Sequence, residues 1–464
     1  MNLARDTDGR ENMTPFSDLT ELTAVDLARL IASREVSSTE VVQAFLDRID
    51  LVNPHLNAFP VIMAEEALRQ AAATDAASAR GEVAGPLHGV PFTVKLNIDV
   101  AGTATTWGVP VLGSNIAAAD APAVERLRSA GGIPLARSNM PDLALRHDTD
   151  SSMHGRTINP TRPDRTPGGS SGGEGAALAA RLTPLGLGND LGGSLRSPAH
   201  CCGVMSLRPT PGVVPDAAVT LPDVPNLAAQ ILNVQGPMAR RVADLELAMN
   251  VIAGPHPRDP WSVPLATARR VPSSGRVAVV ADTVLGPVAD EVAEALSIAA
   301  ARLAEAGFVV TEVVPPHWDD AIEGWHRLTA CAFAAQTELI NAVAGDNALR
   351  FMAGSRTEPP DAAGLLELLE NRTRWSREWS ADLAGFDVVL APVWTQSAFA
   401  VDLDVRDPQA VTTIIAPGLP AAFLGRPVAT VPITVGPGTC GVQLIGDRFR
   451  EDLCLSTAHR LEEV

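Results

Sequence analysis

Three short segments carry residue types with specific chemistry: Val94-Lys95, Pro167-Gly-Gly-Ser170-Ser171-Gly-Gly-Glu174, and Asn189-Asp190-Leu-Gly-Gly-Ser194-Leu-Arg196-Ser-Pro198. In the last, an apolar strand over residues 184–188 runs into two glycines and then a serine at what reads as a helical turn. Glycines let backbone N–H groups converge where side chains would block them. A helix start adds unpaired donors and a positive dipole end. Beside the Ser194 hydroxyl, such a cluster of donors stabilises a developing oxyanion; it can equally be a tight strand-to-helix turn that only packs. A serine nucleophile needs a base, and no histidine sits in a recognisable partner motif. Of the 36 basic residues only Lys95 is lysine, the rest being arginine. Arginine cannot shed its proton, whereas a buried lysine amine can be neutral and accept one. The bland reading of that bias is codon usage with a chance survivor; the sharper one is that an amine is needed at position 95. Ser170 or Ser171, in a glycine-bounded turn, would relay the proton between Lys95 and Ser194. Tyrosine is absent, which excludes any mechanism resting on a phenol.

These residues resemble the amidase signature family, whose Ser–cis-Ser–Lys triad hydrolyses amides. The Gly-Gly-Ser-Ser-Gly-Gly element, the Gly-Gly-Ser-Leu-Arg element after it and the Val-Lys element upstream match in type, order and spacing. The match is dense over residues 87–215 and extends to Gly425-Arg-Pro-Val-Ala and Gly441-Val-Gln-Leu-Ile-Gly446. The resemblance implies Ser194 as nucleophile, Ser170 as the cis-serine and Lys95 as base. It implies an oxyanion hole from the N–H groups of Leu191, Gly192, Gly193 and Ser194, with Ser171, Asp190 and Arg196 in support, and a cis peptide between Gly169 and Ser170. One departure is Leu96, where the family commonly has an acidic residue. Its absence removes a charge beside the lysine and bears on the local pKa, not on the triad.

Rival readings come from three directions. Gly168-Gly-Ser170-Ser-Gly172 also fits the Gly-x-Ser-x-Gly elbow of α/β-hydrolases, but that elbow follows directly on a strand. Here the preceding stretch, residues 159–167, is too rich in proline and charge to be a buried strand. A non-catalytic binding module on the same scaffold would be expected to have lost a triad member, and all three are present. Within the family, the amidase subunit of the complex that amidates mischarged tRNA shares the triad. That component usually carries tyrosine-bearing motifs after the nucleophile loop.

The elements that must position these residues read as an α/β fold: one large domain with a twisted mixed β-sheet core covered by helices on both faces. Residues 1–20 read as a flexible lead-in to a domain over 21–464, with N-terminal helices over 21–82. Thr23 opens the first helix, Ser37-Ser-Thr-Glu40 is a capping box before the second, and an alanine-rich third runs over 62–80. The signature core over 87–215 alternates strand, helix and strand: residues 89–95, then 121–130, then 133–136. Later strands are expected at 277–280, 309–314, 388–391, 429–432 and 441–445, with a helix over 289–306. Residues 320–383 read as a helical segment that covers the substrate pocket.

The substrate signal is thinner. Residues 213–235 are apolar and almost uncharged, which suits a lid beside Ser194. Trp107 and Met140, and some of Trp325, Trp375 and Trp379, are candidates for an apolar pocket wall; ordinary core packing explains each tryptophan equally well. An apolar pocket points to aryl or alkyl amides, with esters and carbamates (urethanes) as further substrates, in the manner of aryl-acylamidase-like and urethanase-like bacterial amidases. The net charge of −18 argues against nucleic acid as a partner. Without a long apolar run or a signal-peptide pattern, a membrane span and secretion are not expected. The five cysteines lack a Cys-x-x-Cys pair and read as reduced thiols in a cytoplasmic protein. His147 and His154 lie close in sequence but lack metal-ligand spacing, so neither metal nor cofactor is expected. The expected assembly is a monomer or homodimer acting on a small molecule.

Overall fold

The computed structural model describes residues 18–264, 274–354 and 357–462. Most of the expected lead-in therefore lies outside the described residues; its last part, Leu19–Glu21, is a short helical turn with Leu19 buried. The N-terminal helices form where their caps predict. Thr23 accepts from the Asp26 amide at the start of Ala24–Ala32, and Ser37 and Glu40 make a reciprocal capping box on Ser38–Leu56. The third helix begins at Ala64, not at 62. Val61 and Ile62 instead pair with Arg137 and Ala136 at a sheet edge, as two β-branched residues prefer.

Among the described residues, thirteen strands follow in chain order. The first seven are β1 (Val61–Ile62), β2 (Pro91–Lys95), β3 (Ile133–Ser138), a small hairpin of β4 (Asp150–Ser151) and β5 (Gly155–Arg156), β6 (Leu185–Asp190) and β7 (Met205–Arg208). The remainder are β8 (Val234–Ala239), β9 (Arg276–Val280), β10 (Val309–Val313), β11 (Val388–Pro392), β12 (Val428–Val435) and β13 (Gly438–Gly446). All but the hairpin join one mixed sheet of 11 strands in the order β1-β3-β2-β6-β8-β7-β12-β13-β11-β9-β10. β3, β2 and β6 are mutually parallel, as are β11, β9 and β10, and the strands between pair antiparallel. Every residue of β2, β3, β6, β7, β8 and β11 is buried. Strands buried throughout must be covered on both faces. The helices Gly172–Ala179 and Glu451–Glu462 are among those that cover them.

β7 and β8 were not expected from the sequence, and β8 takes over the end of the segment read as a lid. Residues 213–235 are otherwise a loop followed by the helix Leu227–Leu232. The loop is tethered: the Asp99 carboxylate accepts from the amides of Val219 and Thr220 and from the Thr220 hydroxyl. The helical segment over 320–383 resolves into Trp318–Ala335, Thr337–Val343, Asp346–Gly354 and Ala362–Asp382.

Candidate active site

Parallel pairing of β2 with β6 sets Val94 opposite Leu187, so the two strands end side by side. Lys95 closes one and Asp190 the other. The carboxyl ends of parallel strands are where open α/β sheets place their ligands. The helix Gly172–Ala179 packs on β2 and β6 and is entered through Ser170 and Ser171. Lys95 Nζ lies 2.6 Å from Ser170 Oγ and 2.6 Å from Asn189 Oδ1, and Ser170 Oγ lies 2.8 Å from Ser194 Oγ. The Gly169–Ser170 peptide is cis. Lys95 is fully buried and Ser170 is 1% exposed, while Ser194 is half-buried. The serine reached from outside is therefore Ser194, with Ser170 between it and the amine. Ser171 stands beside this line: its amide donates to the Ser194 carbonyl and its hydroxyl to the Asn189 carbonyl.

Burial pushes the Lys95 amine down to about 7, against the opposing pull of Asp190 and Glu174. Glu174 is itself buried, and burial raises its carboxyl to about 7. One of its oxygens accepts from the Thr93 hydroxyl at 2.6 Å. Burial would raise Asp190 too, but the guanidiniums of Arg196 and Arg208 and the Gly193 amide hold it well below the usual carboxylate range. Arg196 engages Asp190 through Nε and Nη2, both at 3.0 Å, in a bidentate pair with both side chains fully buried. Such pairs fix geometry as well as charge.

That pair holds the loop leading to Ser194. Asp190 also accepts from the amides of Gly193 at 2.8 Å and Leu195 at 3.2 Å. The Gly193 amide, expected among the oxyanion donors, thus donates to a carboxylate in this structure. Gly193 instead bends the loop, at a φ of +121° that side-chain-bearing residues rarely adopt. Among the described residues, the amides of Leu191, Gly192 and Ser194 donate to no protein acceptor. The helix after Ser194 begins at Arg196 rather than at the serine. Outside the loop, Trp325 Nε1 donates to the Leu191 carbonyl at 3.1 Å. A Cβ on Gly192 would come within 2.3 Å of the Trp325 ring, so only glycine fits there.

Residues 40–455 match the Amidase family. The chain belongs to that family. It is 36% identical to an indoleacetamide hydrolase of Bradyrhizobium diazoefficiens, over 97% of this chain and 87% of that one. It is 32% identical to an acylamidase of Rhodococcus erythropolis, over 96% and 95% of the two chains. One component of the glutamyl-tRNA(Gln) amidotransferase of Moorella thermoacetica is 31% identical over 96% and 97%. Among solved structures, a bacterial aryl acylamidase of the amidase signature family superposes with a TM-score of 0.79 at 26% identity, over 95% and 96%.

In this amidase the expected pocket residues separate by position. Trp107 and Met140 lie on two backbone segments that meet: a Cβ on Gly108 would lie 3.0 Å from the Met140 carbonyl oxygen, and the Leu143 amide donates to the Trp107 carbonyl. Trp107, Leu143 and Ala144 all have positive φ, which is uncommon away from glycine. Met140 is fully buried. Of the three later tryptophans, Trp325 reaches the Ser194 loop. Trp379 is buried and stacks on Trp318, and Trp375 leans on Phe423.

Asn189 and Glu174 lie in the motifs read from the sequence, but the bond of the one to the lysine and the electrostatic pull of the other on it depend on strand register and could not be read there. All five cysteines are free. Among the described residues, the carboxylates that meet closely enough for a metal are Asp148, Asp402 and Asp404, and neither His147 nor His154 joins them. Guanidiniums lie against that group instead: Arg146 Nη2 is 2.8 Å from Asp404 and 3.2 Å from Asp402, and Arg156 pairs with Asp148 and Asp402. No helix of the described residues is long and apolar enough to cross a membrane.

Proposed function

We propose that the chain hydrolyses the C–N bond of small uncharged amides through an acyl-enzyme on Ser194. The observation that carries this is the unbroken line from Lys95 Nζ through Ser170 Oγ to Ser194 Oγ, anchored on an amine that burial keeps close to neutral. With the amine neutral, Ser170 donates its proton to Lys95 as Ser194 donates to Ser170, and the Ser194 oxygen attacks the amide carbon. The amides of Leu191, Gly192 and Ser194 are the available donors for the oxyanion. Collapse of the tetrahedral intermediate breaks the C–N bond and returns the proton through the same line to the leaving amine. Water, giving a proton through Ser170 to Lys95, then attacks the acyl ester; breaking its C–O bond returns that proton to Ser194 and releases the acid. Asp190 and Arg196 hold the loop, and Ser171 supports it from the helix side.

Apolar and aryl amides are the proposed substrates, with esters and carbamates accepted through the same acyl chemistry. The names of the relatives support this class: an indoleacetamide hydrolase, an acylamidase and an aryl acylamidase. Trp107 and Met140 are proposed as part of the pocket and residues 213–235 as its cover, in a cytoplasmic enzyme. A second reading, the amidase component of a tRNA-dependent amidotransferase, draws on the 31% identical relative from such an enzyme. Co-purification with a partner and ATP-dependent amidation of charged tRNA would favour it. The test of the first reading is covalent: a fluorophosphonate should label Ser194 and no other serine, as read by peptide mapping. Label on Ser170 that survives Ser194→Ala would overturn the assignment.

A further inference from the structure

Between Leu191 and Ser194 three peptide groups are each held by one end. The 192–193 peptide is held by its amide, which donates to Asp190 Oδ1 at 2.8 Å. The 193–194 peptide is held by its carbonyl, which accepts from the Ser197 amide at 2.6 Å. The 191–192 peptide is also held by its carbonyl, which accepts from Trp325 Nε1 at 3.1 Å. All three are trans, and in a planar trans peptide the C=O and N–H point to opposite sides. A tether on the carbonyl therefore fixes where the amide points. The amides left over by the two carbonyl tethers are those of Ser194 and Gly192, both without a protein acceptor among the described residues. Gly192 is buried, and a buried amide is rarely left unpaired. That suits a donor kept for a substrate oxygen.

The two carbonyl tethers differ in origin. Ser197 stands in the helix that follows the loop, so its bond comes with the local fold. Trp325 stands 134 residues from Leu191 in sequence, on the helix Trp318–Ala335. That helix is closely seated: a Cβ on Gly324 would come within 2.6 Å of the Phe423 ring. Phe423 ends the short helix Leu419–Phe423, just after Gly418, whose carbonyl accepts from Arg196. The indole and the arginine that braces the loop thus bear on one stretch of chain. Glycine at 192 and 193 leaves this backbone free to adopt orientations that other residues resist. Turned over, the 191–192 peptide would present a carbonyl oxygen in place of a donor to the developing oxyanion. We propose that Trp325 is a positioning residue, whose indole N–H holds the 191–192 peptide with the Gly192 amide turned toward the oxyanion. The proposal rests on the reading of Ser194 as the nucleophile of an amide hydrolase. Trp325 acts through Gly192, so its contribution belongs to the transition state and not to substrate binding.

The experiment separates the N–H from the bulk of the ring. Trp325→3-benzothienylalanine keeps the fused rings and their packing but has sulfur in place of the N–H; Trp325→Phe, made with natural residues, also lacks the donor. Wild type and both variants are compared by kcat and KM on 3-phenylpropionanilide, and by inhibition with the trifluoromethyl ketone of the same acyl chain. Ser194 Oγ adds to the ketone carbon, its proton passes through Ser170 to Lys95, and the carbonyl oxygen becomes an oxyanion that needs the same donors. The benzothienyl variant should lose about tenfold in kcat, the contribution of one hydrogen bond. That is less than the hundredfold or more that removal of an oxyanion donor costs. KM should stay within about twofold, and the ketone should bind about tenfold more weakly. Trp325→Phe should lose at least as much in kcat and in ketone affinity. Unchanged kcat in either variant would overturn the proposal, and the phenylalanine variant decides alone if the other fails to fold. A loss confined to KM, or a fall in kcat without weaker ketone binding, would overturn it as well. A wild type that neither hydrolyses the anilide nor binds the ketone would instead strike at the amidase reading itself.

Discussion

Replacing Lys95 by methionine should abolish activity and at the same time stabilise the protein near neutral pH. The amine is fully buried, and burial lowers it from an ordinary 10.5 to about 7. Between those values the unfolded chain holds a proton on this lysine that the folded chain does not. Stability therefore rises with pH across that window and has nothing further to lose from this group below it. At about 1.4 kcal/mol per pH unit, the span of the shift corresponds to roughly 5 kcal/mol, nearly all of it still missing from the wild type at pH 7. Methionine carries no such penalty, but it takes the amine from Asn189 Oδ1 and from Ser170 Oγ, which keeps only Ser194 as partner, at a cost of about 1–3 kcal/mol. The net gain near pH 7 is then of order 2 kcal/mol. The pH dependence of that gain is the sharper quantity, because the lost hydrogen bonds weigh equally at every pH. Between pH 8 and pH 10 the advantage of Lys95→Met should shrink by about 2–3 kcal/mol, two pH units of the same slope. Urea unfolding of both proteins at the two pH values, compared at equal m-values, measures it. A gap that stays constant or widens would refute the view that this lysine is held neutral by burial.

The same shift predicts how activity depends on pH. The kcat/KM of the wild type should rise through a single ionisation half-complete near pH 7 and hold above it, and Lys95→Arg, which keeps a charge that cannot be shed, should be as inactive as Lys95→Ala; substantial activity in the arginine variant would remove the lysine as base. Gly192→Ala sets a methyl within 2.3 Å of the Trp325 ring, so kcat should fall at least tenfold, and adding Trp325→Ala should restore part of it if the damage is displacement of the loop. Substitutions at Val219 and Val224, exposed in the proposed cover, should change the ratio of rates on aryl and small aliphatic amides while leaving fluorophosphonate labelling of Ser194 nearly unaltered. Uniform loss on every substrate and in labelling would make that segment purely structural.

What the sequence allowed to be read divides along a physical line. Local signals held: the capping box at Ser37 and Glu40, the strands ending at Lys95 and beginning at Val388, and the three chemical segments were all visible, because each depends on residues within a few positions. Signals carried by pairing across the chain were not. β7 and β8 were missed because their partners β6 and β12 lie far off in sequence, and β8 reads as the tail of an apolar loop. The short β1 passed for the start of a helix because alanine and glutamate dominate the window that follows it. In the site, nothing local reveals that the Gly193 amide turns toward Asp190, or that Glu174 comes close enough to oppose the loss of charge at Lys95.

The bias toward arginine takes on a physical sense once burial is known. Arg137, Arg146, Arg196, Arg208 and Arg426 are among the largest fully buried side chains. At such depth a lysine would tend to surrender its proton and cease to be a dependable cation, as Lys95 itself illustrates. Arginine keeps its charge there and offers a planar fork, so it can brace Asp190 and bind Asp404 permanently. On the proposed mechanism, the position beside Ser170 is one where a cation that stays charged would be harmful. Codon usage accounts for arginine at exposed sites, where either residue serves, but it does not explain why the single exception is fully buried and hydrogen-bonded to a serine that reaches a second serine. Lys95→Arg, which leaves composition almost unchanged and should leave no base, tests the functional explanation.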